Sequence, residues 1–242
     1  MTGRRLAGGG GPVIPNFGKP SSCLKHNGWF CTDWLHAHWG DILQPALVQH
    51  VLLTLLAVGI GFGIAFLLAL LGFRFRLLNA PLGAFTDVLY MLPSIALFEI
   101  LLPITGITWT TILIPLVAYT LFVLYRNTVA GLRAVPGEVL ESARGMGLTR
   151  RQTFLRVELP LAVPSIMAGL RIATVSTISI ATIAAFLVAD GLGKPIFDAL
   201  EQPDIFKTEL LAGGVLVVLL ALVADALLSL LQRALTPWTR VR

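Results

Sequence analysis

Between Val51 and Phe73 the chain carries no ionisable side chain. At ~1.5 Å of rise per residue, a helix of that length crosses the ~30 Å hydrocarbon layer of a bilayer. Four more apolar stretches follow: about Leu82 to Pro103, with Asp87 and Glu99 near its ends, then Trp109 to Tyr125, Pro164 to Ala189, and Leu210 to Leu231. A backbone in lipid must satisfy its own hydrogen bonds, and none of these runs alternates as a barrel strand would, so each is expected to be a helix. Of the 242 residues, 56% are apolar and only 13% are Asp, Glu, Lys or Arg. That leaves too little polar surface to cover a water-facing globule. The expected fold is all-α, a polytopic membrane bundle of about five transmembrane helices.

The net charge of +5 gains meaning from where the charges fall. With the N-terminus outside and the C-terminus inside, the inner side receives Arg74, Arg76, Arg126, Arg133, Arg144, Arg150, Arg151, Arg156, Arg233, Arg240 and Arg242, with Arg171 just within the fourth span. Arg4, Arg5, Lys19, Lys25, Lys194 and Lys207 remain outside. Twelve against six follows the positive-inside rule, so the basic balance is read as membrane topology and no nucleic-acid partner is expected. All five tryptophans, Trp29, Trp34, Trp39, Trp109 and Trp238, fall near predicted membrane–water boundaries, with loop packing as the other reading. Residues 1–45 read as an extracytoplasmic tail, partly flexible, 46–233 as the transmembrane domain with a cytoplasmic loop at 132–163, and 234–242 as a cytoplasmic tail. The start of the chain has no apolar core of a cleavable signal peptide. Cys23 and Cys31 are either a small disulfide loop in an oxidising space or two unrelated thiols. Their spacing does not suit zinc, and the four histidines all precede the first long run, so no metal site is expected.

The loop between the third and fourth runs is the most informative stretch. Pro136 suits a helix start, Glu138 and Glu141 suit the positive end of its dipole, and the helix to Met146 is expected to stop at Gly147. Thr149-Arg150-Arg151-Gln152 is a capping box that begins a second short helix, with Leu159-Pro160 expected to close it and Pro164 to open the next membrane helix.

Glu141-Ser142-Ala143, then Gly147, then Val157-Glu158-Leu159-Pro160 nine residues on resembles the EAA signature of ABC-importer permeases, with Ser142 in place of the middle Ala and Val157 in place of Ile. Asn127-Thr128, Gly131-Leu132, Ala143-Arg144-Gly145-Met146-Gly147, Leu92-Pro93-Ser94-Ile95-Ala96, Ala168-Gly169-Leu170-Arg171 and Ala181-Thr182-Ile183-Ala184-Ala185 are similar to the osmoprotectant branch of that family. Val188 and Asp190 depart from it, where the family often has more glycine. The resemblance implies a coupling helix in which Glu141, Ser142, Ala143, Gly147, Leu159 and Pro160 engage a cytoplasmic ATPase dimer. It also implies a second permease copy or paralogue, an extracytoplasmic solute-binding protein, and a bacterial plasma-membrane location. The implied cargo is a quaternary ammonium solute such as glycine betaine, choline or carnitine, the alternative being methionine or another amino acid. No cofactor is expected on this chain. It lacks a G-x-x-x-x-G-K-[ST] loop, so ATP and Mg belong to the partner.

Within the spans, Gly59, Gly61 and Gly63 suit close helix packing rather than nucleotide binding. Pro93, Pro103 and Pro115 either kink a translocation path or only shape packing, and Pro93, Ser94 and Thr182 are candidate path residues. Arg171 and Asp225 lie at matching depths and are a candidate ion pair between spans four and five, with separate pairing or snorkelling as the other reading. The scattered aromatics Phe98, Tyr119, Phe122 and Phe186 form no evident cage for a cation. No His, Cys or paired carboxylate occupies the spans, which argues against a membrane-embedded enzyme, and a passive channel would have no use for the loop.

Overall fold

The computed structural model describes residues 27–202 and 204–240. Among them the structure is helical, without strands. Cys23 and most of the N-terminal tail lie outside the described residues.

α1 (Thr32–His38) runs through a π-helical turn, Trp39–Leu43, into α2 (Gln44–Arg74). The first membrane helix is thus the end of a rod of 43 residues beginning at Thr32, longer than its ion-free stretch. Trp34 is packed rather than surface-anchored: it is buried, stacks on His38 with ring centroids 4.7 Å apart, and meets Phe206 edge-on at 5.3 Å.

The second apolar stretch departs from expectation. It forms two helices, α3 (Arg76–Met91) and α4 (Ser94–Thr105), meeting at 90°. Leu92 takes an extended conformation (ψ 133°) because the following proline disfavours the helical one. Pro93 lacks an N–H with which to continue the ladder, so a run of even hydrophobicity is cut in the middle.

α5 (Trp109–Arg133) is the most enclosed of the long helices, with 61% of its most apolar window buried. It packs against α2, α3, α4 and α8 (Leu159–Ala184). Small residues let α2 come close: Ala57, Ala65 and Ala69 are wholly buried. A Cβ at Gly61 would sit 1.8 Å from Thr120 Oγ1 on α5, whereas Gly59 and Gly63 face open space. Only one of the three spaced glycines serves the helix crossing.

A short α6 (Gly137–Gly145) and the single turn α7 (Arg150–Thr153) connect α5 to α8. The expected stop at Leu159-Pro160 does not occur. The chain passes from α7 through a π-helical turn, Phe154–Glu158, directly into α8, giving one helical stretch of 35 residues, Arg150–Ala184. Pro160 falls in the first turn of α8, where the change of helix type leaves its missing N–H unneeded. Pro164 lies within the helix rather than at its start.

At the far end of α8, His50 of α2 is 1% exposed; its Nε2 donates to the Ile178 carbonyl at 3.1 Å and its Nδ1 accepts from the Leu192 N–H at 3.2 Å. Both ring nitrogens are satisfied in the neutral form. α9 (Gly193–Glu201) follows, then α10 (Lys207–Leu235), whose most apolar window is 0% buried. Val218, Leu222, Leu227 and Leu230 project outward, as lipid or a second chain allows. With the α3–α4 pair counted once, five segments among the described residues are long and apolar enough to cross a membrane.

Gly61→Leu should push α2 and α5 apart at a cost of about 1–3 kcal/mol, lowering the melting temperature of the detergent-solubilised protein. Gly59→Leu, directed into open space, should leave it unchanged.

Candidate functional site

The ends of α2 and α5, the start of α3 and the α6–α7 hairpin meet at one end of the bundle. There Arg74, Arg76, Arg133, Arg144, Arg150 and Arg151 surround a cleft of about 1620 Å³, and among the described residues Glu158 is the one acidic residue that lines it. This is the arginine-rich end.

The hairpin is built by its caps. Pro136 (φ −60°, ψ 140°) leads into α6, and Glu138 stands in the first turn, where a carboxylate suits the exposed amides. At the other end the Leu148 N–H donates to the Ala143 carbonyl at 3.2 Å and the Gly147 N–H to the Arg144 carbonyl at 2.9 Å. That Schellman arrangement needs a left-handed residue, and Gly147 supplies it at φ +79°. A Cβ there would meet no atom within 4 Å, so conformation rather than space requires the glycine. Two residues on, the Thr149 N–H donates to Gln152 Oε1 at 2.8 Å and the Gln152 N–H to Thr149 Oγ1 at 3.4 Å, closing the capping box.

The signature residues divide by direction. Ala143 is 1% exposed and turns inward, so its small side chain serves the chain's own packing. Glu141 and Ser142 are exposed, and the Ser142 hydroxyl donates to the Glu138 carbonyl at 2.9 Å. Leu159 and Pro160 are half-buried at the start of α8, with Leu159 against the cluster of Leu132, Ala162 and Ile166. Sequence reasoning passed over Met146, which is 75% exposed at the tip of the hairpin. Its signal was a large apolar residue beside a helix-ending glycine in an otherwise charged loop.

Of the path candidates, Pro93 and Ser94 stand at the α3–α4 break. Thr182 is engaged elsewhere: its hydroxyl donates to the Ile178 carbonyl at 2.9 Å, and its own carbonyl backs onto Gly193. Around the break, Tyr119 of α5 donates its hydroxyl to the Leu92 carbonyl, one of the acceptors the break releases. Tyr90, absent from the sequence reading, stacks on Phe122 with centroids 4.5 Å apart and meets Tyr119 at 5.7 Å. One turn along, Arg126 Nε donates to Asp87 Oδ1 at 3.1 Å, and its Nη2 donates to the other carboxylate oxygen.

The structure brings Arg171 and Asp225 together. Nε and Nη2 of the guanidinium donate to the two carboxylate oxygens at 2.7 and 2.8 Å, joining α8 to α10 in a bidentate pair. Neither group is enclosed, with 34% and 38% of the side chains exposed. In an apolar surround, pairing avoids presenting two isolated charges. Arg171→Asp should therefore lower the yield and melting temperature of folded protein. Adding Asp225→Arg should recover most of the loss, and a full double-mutant cycle would read the coupling directly.

The comparisons with known proteins agree with this architecture. Residues 44–241 match the family of binding-protein-dependent transport system inner membrane components. A choline transport system permease protein of Bacillus subtilis (strain 168) is 33% identical over 206 residues, covering 85% of this chain and 93% of that protein. An osmoprotectant import permease protein of Salmonella typhimurium is 37% identical over 200 residues, 81% of this chain and 92% of the relative. Among solved structures, an inward-facing conformation of the MetNI methionine ABC transporter superposes with a TM-score of 0.68 at 20% identity, over 81% of this chain and 99% of that one. That likeness is one of fold. The chain belongs to the binding-protein-dependent transport system inner membrane components, as a multi-pass membrane permease.

Proposed function

We propose that this permease carries a quaternary ammonium compatible solute, of the choline, glycine betaine or carnitine class, into a bacterial cell. Its orientation places the arginine-rich end in the cytoplasm and the N-terminus outside, in keeping with the positive-inside rule. A separate extracytoplasmic binding protein delivers the solute, and two permease copies, or this chain and a paralogue, enclose its path. A cytoplasmic ATPase dimer hydrolyses ATP with Mg and drives the alternation.

The observation that carries this reading is the doubly capped hairpin. Its elbow is fixed by the Gly147 turn that ends α6 and the Thr149–Gln152 capping box that starts α7, and it presents Glu141, Ser142 and Met146 outward. A rigid projection with an apolar tip and a charged rim has the composition of a small anchoring surface. The solute class is supported by two relatives, a choline transport system permease at 33% identity and an osmoprotectant import permease at 37%. Closure of the ATPase would draw two such hairpins together and move the helices joined to them.

The test is reconstitution of the permease with its ATPase and binding protein in liposomes. The paired change Met146→Asp and Glu141→Arg, exposed positions that leave the bundle core intact, should reduce ATPase co-purification and lower choline uptake by roughly tenfold or more. Unchanged uptake with normal ATPase association would overturn the coupling role.

A further inference from the structure

We infer that Tyr90, Tyr119 and Phe122 form a transient site for the trimethylammonium head of the solute, at the break between α3 and α4. The inference rests on the solute class proposed above and adds where in the permease that solute is recognised.

Depth comes first. Tyr90 lies fourteen residues beyond the start of α3 at Arg76 and Tyr119 ten beyond the start of α5 at Trp109, about 21 and 15 Å along helices that start from opposite ends of the bundle. Both rings therefore stand near the middle of a ~30 Å hydrocarbon layer. Discontinuous helices at that depth are where membrane transporters place their substrate sites.

The chemistry follows from what a quaternary ammonium lacks. It has no N–H to donate, so carbonyls and hydroxyls cannot hold it by hydrogen bonds. Aromatic faces attract it through the ring quadrupole. Tyr90 supplies such a face: Phe122 stacks behind it at 4.5 Å and 25°, and Tyr119 meets it in a T-shaped contact at 5.7 Å and 64°. Tyr119 is nearly buried at 8% exposure and tied to the break by its hydroxyl, whereas Tyr90 is 43% exposed. The cluster already attracts one cation, since the Arg126 guanidinium carbon lies 6.0 Å from the Phe122 centroid. Asp87 neutralises that arginine through two hydrogen bonds, so no unpaired positive charge repels a second cation. No unpaired carboxylate adjoins the rings among the described contacts of Tyr90, Tyr119 and Phe122, which keeps the site weak and quickly released, as a path requires.

Tyr90 is the position to test, because its exposure allows substitution without opening the core. The complete complex, with ATPase and binding protein, is reconstituted in liposomes and assayed for uptake of labelled choline and glycine betaine. Tyr90→Phe should keep uptake near the wild-type rate and Tyr90→Leu should lower it roughly tenfold, with ATPase association unchanged. Replacement by mono-, di- and trifluorinated phenylalanine should then lower uptake progressively, because each fluorine drains the ring face while preserving its shape. A packing role would give no such gradient. Wild-type uptake from Tyr90→Leu, or uptake flat across the fluorinated series, overturns the site while leaving the solute assignment standing. A wild-type complex that carries methionine and neither quaternary ammonium solute overturns the solute assignment, and the site with it.

Discussion

In hydrocarbon the hydrophobic effect gives helices no reason to associate, so they hold together through close packing and the few polar contacts that lipid cannot replace. In this chain both concentrate on α5. α2 reaches it across Gly61 and the buried alanines Ala57, Ala65 and Ala69. α8 reaches it through Ser165, whose hydroxyl donates to the Asn127 carbonyl at 2.8 Å. The bent α3–α4 pair is fastened to the same helix by Tyr119 at the Leu92 carbonyl and by Tyr125, which donates to the Asn79 carbonyl at 3.1 Å. α10 alone among the long helices takes no part. It lies outside α8 and is joined to it by the Arg171–Asp225 pair. The order of enclosure, α5 within and α10 without, thus follows the close contacts and hydrogen bonds made to α5 rather than hydrophobicity. By that measure α10 is the most apolar of the four long stretches and α5 the least.

The same ordering explains which features could be read in the sequence. Apolar runs report the solvent around a segment, so five membrane-spanning segments were legible from residue type alone. The hairpin was legible for a different reason: Gly147 and Thr149-x-x-Gln152 are local devices whose geometry needs only neighbouring residues. What escaped depends on distant contacts. Nothing local tells Ala143, turned inward, from Met146, turned outward, because the elements that cover one and spare the other lie elsewhere in the chain. The aromatic cluster was missed because Tyr90 and Phe122 are separated by a helix break and a whole helix reversal. Tyr119 and Phe122 looked scattered without the third ring. Prolines show the limit most sharply. Pro93 breaks its segment by 90°, while Pro160 and Pro164 leave theirs continuous. The difference lies in how the ladder answers each: Leu92 before Pro93 leaves the helical conformation, whereas Pro160 comes just after a π-helical turn that re-registers the ladder.

That continuity matters for how force would reach the membrane. A helix ending at Leu159-Pro160 would leave the hairpin on a swivel, and motion imposed on it would dissipate in the joint. The observed path runs unbroken from Arg150 to Ala184, so a displacement of α7 is a displacement of the rod that packs on α5 and carries Arg171. At its far end the rod holds Ile178, whose carbonyl receives His50, and His50 in turn fixes Leu192 in the loop before α9. One continuous element therefore connects the exposed hairpin at one face of the bundle to a hydrogen-bonded loop at the other. The hydrogen-bond register along it changes at the five-residue turn Phe154–Glu158, beside the arginine cleft. If the rod bends under load, the poorer hydrogen-bond register of a π turn makes that the segment to yield first. Its position sets the boundary between the exposed hairpin and the part of the rod packed within the bundle.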